Sequence, residues 1–405
     1  MVQQRSRSEV HSKDEKPLSF DRPPESKSMP MIDLFHDSAC SRLYPFHLVE
    51  GVGGIRHGAF TQQERWDRVD AELAAKGWSG EIAVNSRWIP DAGTADDILN
   101  GTLPFGRDGV VLARSANEAG HTQLGAAPRS PRMLEHANDL FAELAEQLEL
   151  DLQWLRTSWE LEPFAASGST QVYGPADNIW VSGTAKVRAA SLDAANGAIV
   201  VGPNATLEPG SHIEGPVVIQ EGAVVRTGAH IRGATVIGPH CKVGGEVSNV
   251  SFQGWANKAH GGFLGNSVIG RWCNLGAGTT SSNLKNTYGS IRQWSMQDNG
   301  MVDSGLQFCG VLMGDHSKCG IGTMLNTGSI IGPACVVFDA GFPPKHLPPF
   351  SWHNAREGST DLHDLPRMLA TADVVMARRG LSMTQKAKDN LSALHLQVQG
   401  DTPSN

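Results

Sequence analysis

Imidazole, thiol and carboxamide groups are the side chains of this sequence best suited to chemistry, and most of them lie in its second half. Among 15 histidines, His212, His230, His240 and His260 fall in one stretch. An imidazole titrates near neutral pH, so it can take a proton or, when neutral, bind a transition metal. None of the four has a partner at a short two-histidine spacing, so a zinc centre is not indicated and no metal is expected. The 6 cysteines, Cys40, Cys241, Cys273, Cys309, Cys319 and Cys335, include no C-x-x-C pair. They read as reduced, mostly buried small residues, not as a disulfide framework or metal site. A glycine-rich stretch, GVGGIRHG from Gly51 to Gly58, has the composition of a phosphate cradle but not its helix-opening context. A structural turn is the simpler reading.

Positioning such groups needs a scaffold, and composition points to its kind. Glycine contributes 45 of 405 residues and aromatics only 6%, which favours many tight turns around a narrow aliphatic interior. The formal charge is -8, and no basic block provides the footprint of a nucleic-acid binder. Apolar runs fall short of the roughly 18 residues a membrane span requires, and the opening segment lacks the apolar centre of a signal peptide. A soluble, cytoplasmic protein with no membrane contact is expected. Residues 1–30, rich in Ser, Lys, Glu and Pro, read as a disordered tail. Residues 31–165 read as a small α/β domain. Its helical runs are TQQERWDRVDAELAAK and a later amphipathic segment with Leu140, Leu144, Leu148 and Leu152 on one face.

From about residue 178 the periodicity changes. Aliphatic residues recur every six positions at Val201, Leu207, Ile213, Ile219, Val225, Ile231, Ile237 and Val243. A small or β-branched residue follows each by four, from Ala205 to Val247. Period six means one short strand and one turn per repeat, with three repeats closing a triangular coil whose aliphatic side chains point inward. The phase returns at Phe263, Ile269 and Leu275, and again at Met313, Cys319, Leu325, Ile331 and Val337. This predicts a parallel β-helix over 178–345, then a Pro-rich exit and C-terminal helices over 346–395. Asn249–Gly262 and Leu284–Leu312 fall out of register and are the first places to look for a site.

The segment NKAHGGFLGNSVIGRWCNLGAGTTSSNLKN, from Asn257 to Asn286, resembles the acetyltransferase half of the bifunctional glucosamine-1-phosphate N-acetyltransferase and N-acetylglucosamine-1-phosphate uridylyltransferase enzymes, the GlmU family. The likeness holds register over roughly Val201–Val337. More weakly, the whole chain is similar to a branch with a short, divergent sugar-nucleotidyltransferase-like domain at 31–165. The resemblance implies a left-handed β-helix that assembles as a homotrimer. It implies His260 as the catalytic base that takes a proton from a substrate amine attacking acetyl-CoA. Asn283 matches a residue at the acetyl-CoA site that could help hold the oxyanion. Glu246, Phe263 and Asn274 match sugar-binding positions, and Ala277 and Ile321 match acetyl-CoA contacts.

Several positions depart from the pattern. Phe263 and Leu284 stand where the family has tyrosines, and Ser248 and His230 where it has a phosphate-binding lysine and arginine. Phosphate recognition is then unassigned, with Arg226, Arg232, Lys258 and Lys285 as nearby cations. The family's phosphate loop is missing from residues 31–165, so Mg²⁺ would be needed only if nucleotidyl transfer were retained. The expectation is an N-acetyltransferase acting on an amino sugar phosphate for nucleotide-sugar synthesis. The alternatives are sugar-1-phosphate nucleotidyl transfer by residues 31–165, or a non-catalytic β-helix scaffold or regulatory subunit.

Overall fold

Period six in the sequence becomes a stack of coils in space. The computed structural model describes residues 31–116, 124–165, 168–339 and 341–401; the expected disordered tail over 1–30 lies outside them. Val201, Ile219 and Ile237, each three repeats after the last, are successive partners in a parallel ladder, so three repeats make one coil. All eight aliphatic residues from Val201 to Val243 are fully buried in one column. Each contributes roughly 1.5–3 kcal/mol by leaving water. The 6 cysteines are free and buried, as expected.

The coil has three faces. Face 1 is a sheet of 10 strands that includes Lys242–Val243, Asn257–Lys258, Asn274–Leu275 and Lys318–Cys319. Faces 2 and 3 merge into a sheet of 14 strands, because Glu246–Phe252 and Phe263–Ile269 each run round a corner unbroken. Asn249 and Asn266 turn that corner with φ of +57° and +46°, in the left-handed region Asn tolerates. Ile237 pairs with Phe252, sooner along the chain than three full repeats would bring a partner round, so this coil is shorter than the ones before it. Asn249–Gly262 is therefore part of the coil and not a protruding loop. The shortening also moves the inward position from Phe263 to Leu264, which pairs with Val247 and is buried. Leu284–Leu312 does leave the coil, carrying a hairpin of Arg292–Ser295 and Gly300–Asp303, and rejoins it at Val311–Met313.

Face 3 is apolar on both sides. Its strands Ile199–Val201, Val217–Ile219 and Thr235–Ile237 bury alternate residues inward while Val200, Val218 and Val236 point outward and are also buried. The N-terminal residues cover them. Gln62–Ala75 (α1) opens with a capping box in which Thr61 and Glu64 satisfy each other's backbone N–H groups. After Thr94–Asn100 (α2), the expected single amphipathic helix breaks at Glu143 (φ -97°, ψ 7°) into Asp139–Ala142 (α3) and Leu144–Ser158 (α4). Leu144, Leu148 and Leu155 of α4 pack on Val200, Val218 and Val236. A 5-stranded mixed sheet in the order Ile32–Phe35, Ile82–Asn85, Val110–Ser115, Phe105–Arg107, Gly125–Ala126 lies beyond, with α1 and α2 in its core.

The GVGGIRHG stretch forms a buried hairpin, Arg56–His57 against Phe60–Thr61. Gly58 turns it at φ +69°, where a Cβ would run into the Asp151 carboxylate. The same carboxylate accepts from Nη1 and Nη2 of Arg65, at 2.6 and 2.7 Å, and from the Ala59 N–H at 2.7 Å. The glycine there is demanded by packing. At the other end, Leu365–Ala377 (α5) and Gln385–Asp401 (α6) cover the corner between faces 3 and 1. That corner is a column of stacked rings, His240, Trp255, Trp272 and His316, with centroids 5.9, 5.3 and 6.3 Å apart.

Candidate functional site

His260 lies at the exposed corner where face 1 ends and face 2 begins, just past the strand Asn257–Lys258. Lys258 explains how that corner is held. Its side chain is buried, and its Nζ donates to Gly244 O and His260 O, each at 2.9 Å. Burial lowers the ammonium pKa to about 8. Lys258 therefore serves the backbone of the histidine and is not a phosphate ligand on the surface.

A groove of about 510 Å³ runs along face 1 from this corner to the end of α5. His260, Asn274, Ala277 and Ile321 all line it. Asn257, Asn274 and Lys318 are register partners on successive coils, which sets the two carboxamides side by side on the groove wall. Ala277 sits in the turn after Leu275, and its carbonyl accepts from Gly322 N at 2.8 Å. Ile321, on the next coil, is 80% exposed and presents an apolar edge.

The groove holds residues that sequence reasoning missed. Lys242, Arg378 and Arg379 line it together with Trp255 and Trp272, and no carboxylate among the described residues does. Partial burial, then Arg379, Arg226 and Arg378, hold the Lys242 ammonium below the usual lysine range. Crowded cations of this kind suit a polyanion. Asn257 Oδ1 is buried and lacks a hydrogen-bond partner among the described residues. Lys242 and Asn257 were findable in principle, being the outward residues of face 1. Arg378 and Arg379 follow α5, far along the chain from His260, and leave no local sign of where they dock.

The other three expected residues gather elsewhere. Glu246 and Phe263 are register partners on face 2, and Glu246 Oε1 takes Arg232 Nη2 at 2.8 Å. Asn283 Nδ2 donates to Asn266 Oδ1 at 2.7 Å, pinning the start of the excursion. Phe263 and Asn283 both crowd Gly265. None of the three lines the face 1 groove. The cations considered for phosphate are also engaged: Arg226 with Glu208 at 2.7 Å, Arg232 with Glu246, and Lys285 with Ser290 O.

No protein-family model matches the sequence. No curated protein matches it either. Among solved structures the chain is similar to a hexapeptide transferase family protein from Anaplasma phagocytophilum, at 14% identity over 58% of this chain and 99% of that one, with a TM-score of 0.21. It is also similar to the polySia-specific acetyltransferase NeuO, at 11% identity over 48% and 85%, TM-score 0.22. The polysialic acid O-acetyltransferase OatWY gives 13% identity over 48% and 89%, TM-score 0.22. Likenesses this low carry nothing about chemistry, which has to be argued from the groove itself.

Proposed function

We propose that this chain is an acyl-CoA-dependent N-acyltransferase, with acetyl-CoA as cosubstrate and an amino sugar phosphate as acceptor. The observation that carries the reading is the single groove shared by His260, Asn274, Ala277 and Ile321 with three cations. Lys242, Arg378 and Arg379 suit the phosphates of coenzyme A. His260, at the open end, would take a proton from the acceptor amine as nitrogen attacks the thioester carbonyl. Collapse of the tetrahedral adduct breaks the C–S bond, and the departing thiolate takes the proton back from the imidazolium.

In the homotrimer that belongs to this proposal, a neighbouring subunit would close the open side of the groove. Nucleotidyl transfer is left out, because Asp151 and Gln147 crowd the turn where a phosphate would have to sit. The test is thiol release from acetyl-CoA across a panel of amino sugar phosphates, their N-acetylated forms and the same sugars lacking nitrogen. Turnover confined to free-amine acceptors is the expected result. Turnover with hydroxyl acceptors alone, or with none, contradicts the proposal.

A further inference from the structure

We propose that His212, Glu214 and His230 form a binding site for a divalent transition metal of the zinc class, on face 2 and separate from the groove. The two histidines are too far apart in the chain to make a local metal motif, but their separation is one full coil here. His212 and His230 are direct register partners, and Glu214 lies two positions beyond His212 on the same side of its strand.

The Nε2 atoms of both rings converge on one carboxylate oxygen, Glu214 Oε1, at 3.0 and 2.9 Å. The ring centroids are 5.0 Å apart, and the three ligand atoms lie within 4.8 Å of one another. Zinc bonds of about 2.0–2.2 Å in a tetrahedron set ligand atoms roughly 3.3 Å apart, so the two nitrogen–oxygen separations need to widen by only a few tenths of an ångström to admit an ion. Two nitrogens and one carboxylate oxygen are a donor set that zinc accepts, with its fourth position left to solvent.

A second feature is what ligating histidines need. His212 Nδ1 is 3.0 Å from Ser191 Oγ on the preceding coil, which fixes the ring and leaves Nε2 for the ion. Arg232, two positions beyond His230 on the same strand, is paired with Glu246 at 2.8 Å.

The experiment is titration of the untagged, chelator-stripped full chain with Zn²⁺ by calorimetry and with Co²⁺ by visible absorption. One equivalent per chain is expected, with the d–d bands of a tetrahedral nitrogen and oxygen site. His230→Ala and the shape-preserving Glu214→Gln should each weaken Zn²⁺ binding at least 100-fold, while His260→Ala should not. Circular dichroism of both variants checks that the coil is intact. Absence of saturable binding by the wild type overturns the proposal, as does equal affinity in Glu214→Gln.

Discussion

A buried ammonium is expensive unless its protons are taken, and Lys258 gives its protons to two backbone carbonyls on adjacent turns. Its folded pKa, about 8, lies below the ordinary 10.5. Between those values the unfolded chain holds more protons than the folded one, so this residue's contribution makes stability rise with pH across that window and fall as pH drops toward about 8. Relative to a Lys258→Met variant, the wild type should gain about 3 kcal/mol between those pH values. Urea unfolding of both proteins at several pH values measures it; parallel curves would contradict the burial argument. The NKAH segment disclosed His260 but concealed the task of Lys258. A lysine beside a histidine reads as a surface charge until the coil shows which way the strand turns it.

At the level of strands and helices, the aliphatic column was readable because an inward side chain recurs at each repeat. It ceased to be readable where a coil lost residues. Phe263 kept the count of six while Leu264 took the core, and only the partner strand reveals the slip. Face 3 did leave a sign: IVV, VVI and TVI are runs with no polar alternation, as strands buried on both sides require. Ile237 is fully buried in the column, where the rigid stack cannot collapse into a vacancy. Ile237→Ala should cost about 2–5 kcal/mol, read as a lower denaturation midpoint. Val236→Ala, at the neighbouring position, removes contacts with α4 instead and should weaken the cover over face 3 with a smaller loss, because a smaller side chain is truncated.

For the whole molecule, the N-terminal residues cover face 3, while the two proposed sites lie on the other faces, the cationic groove on face 1 and the His–Glu cluster on face 2. That division was only half legible. Period and coil came from the sequence pattern, whereas the docking of α5 and α6 depends on Met368 and Met376 of α5 and Leu391 of α6 meeting the Trp272 corner, a contact between distant segments. The central claim, that the groove holds an acyl-CoA beside a working imidazole, is tested most directly by comparing wild type with His260→Ala for thiol release from acetyl-CoA in the presence of an amino sugar phosphate, with coenzyme A affinity measured on both. The predicted result is a fall of about 10²–10⁴ in turnover with unchanged coenzyme A binding. Equal turnover by the two proteins would contradict it.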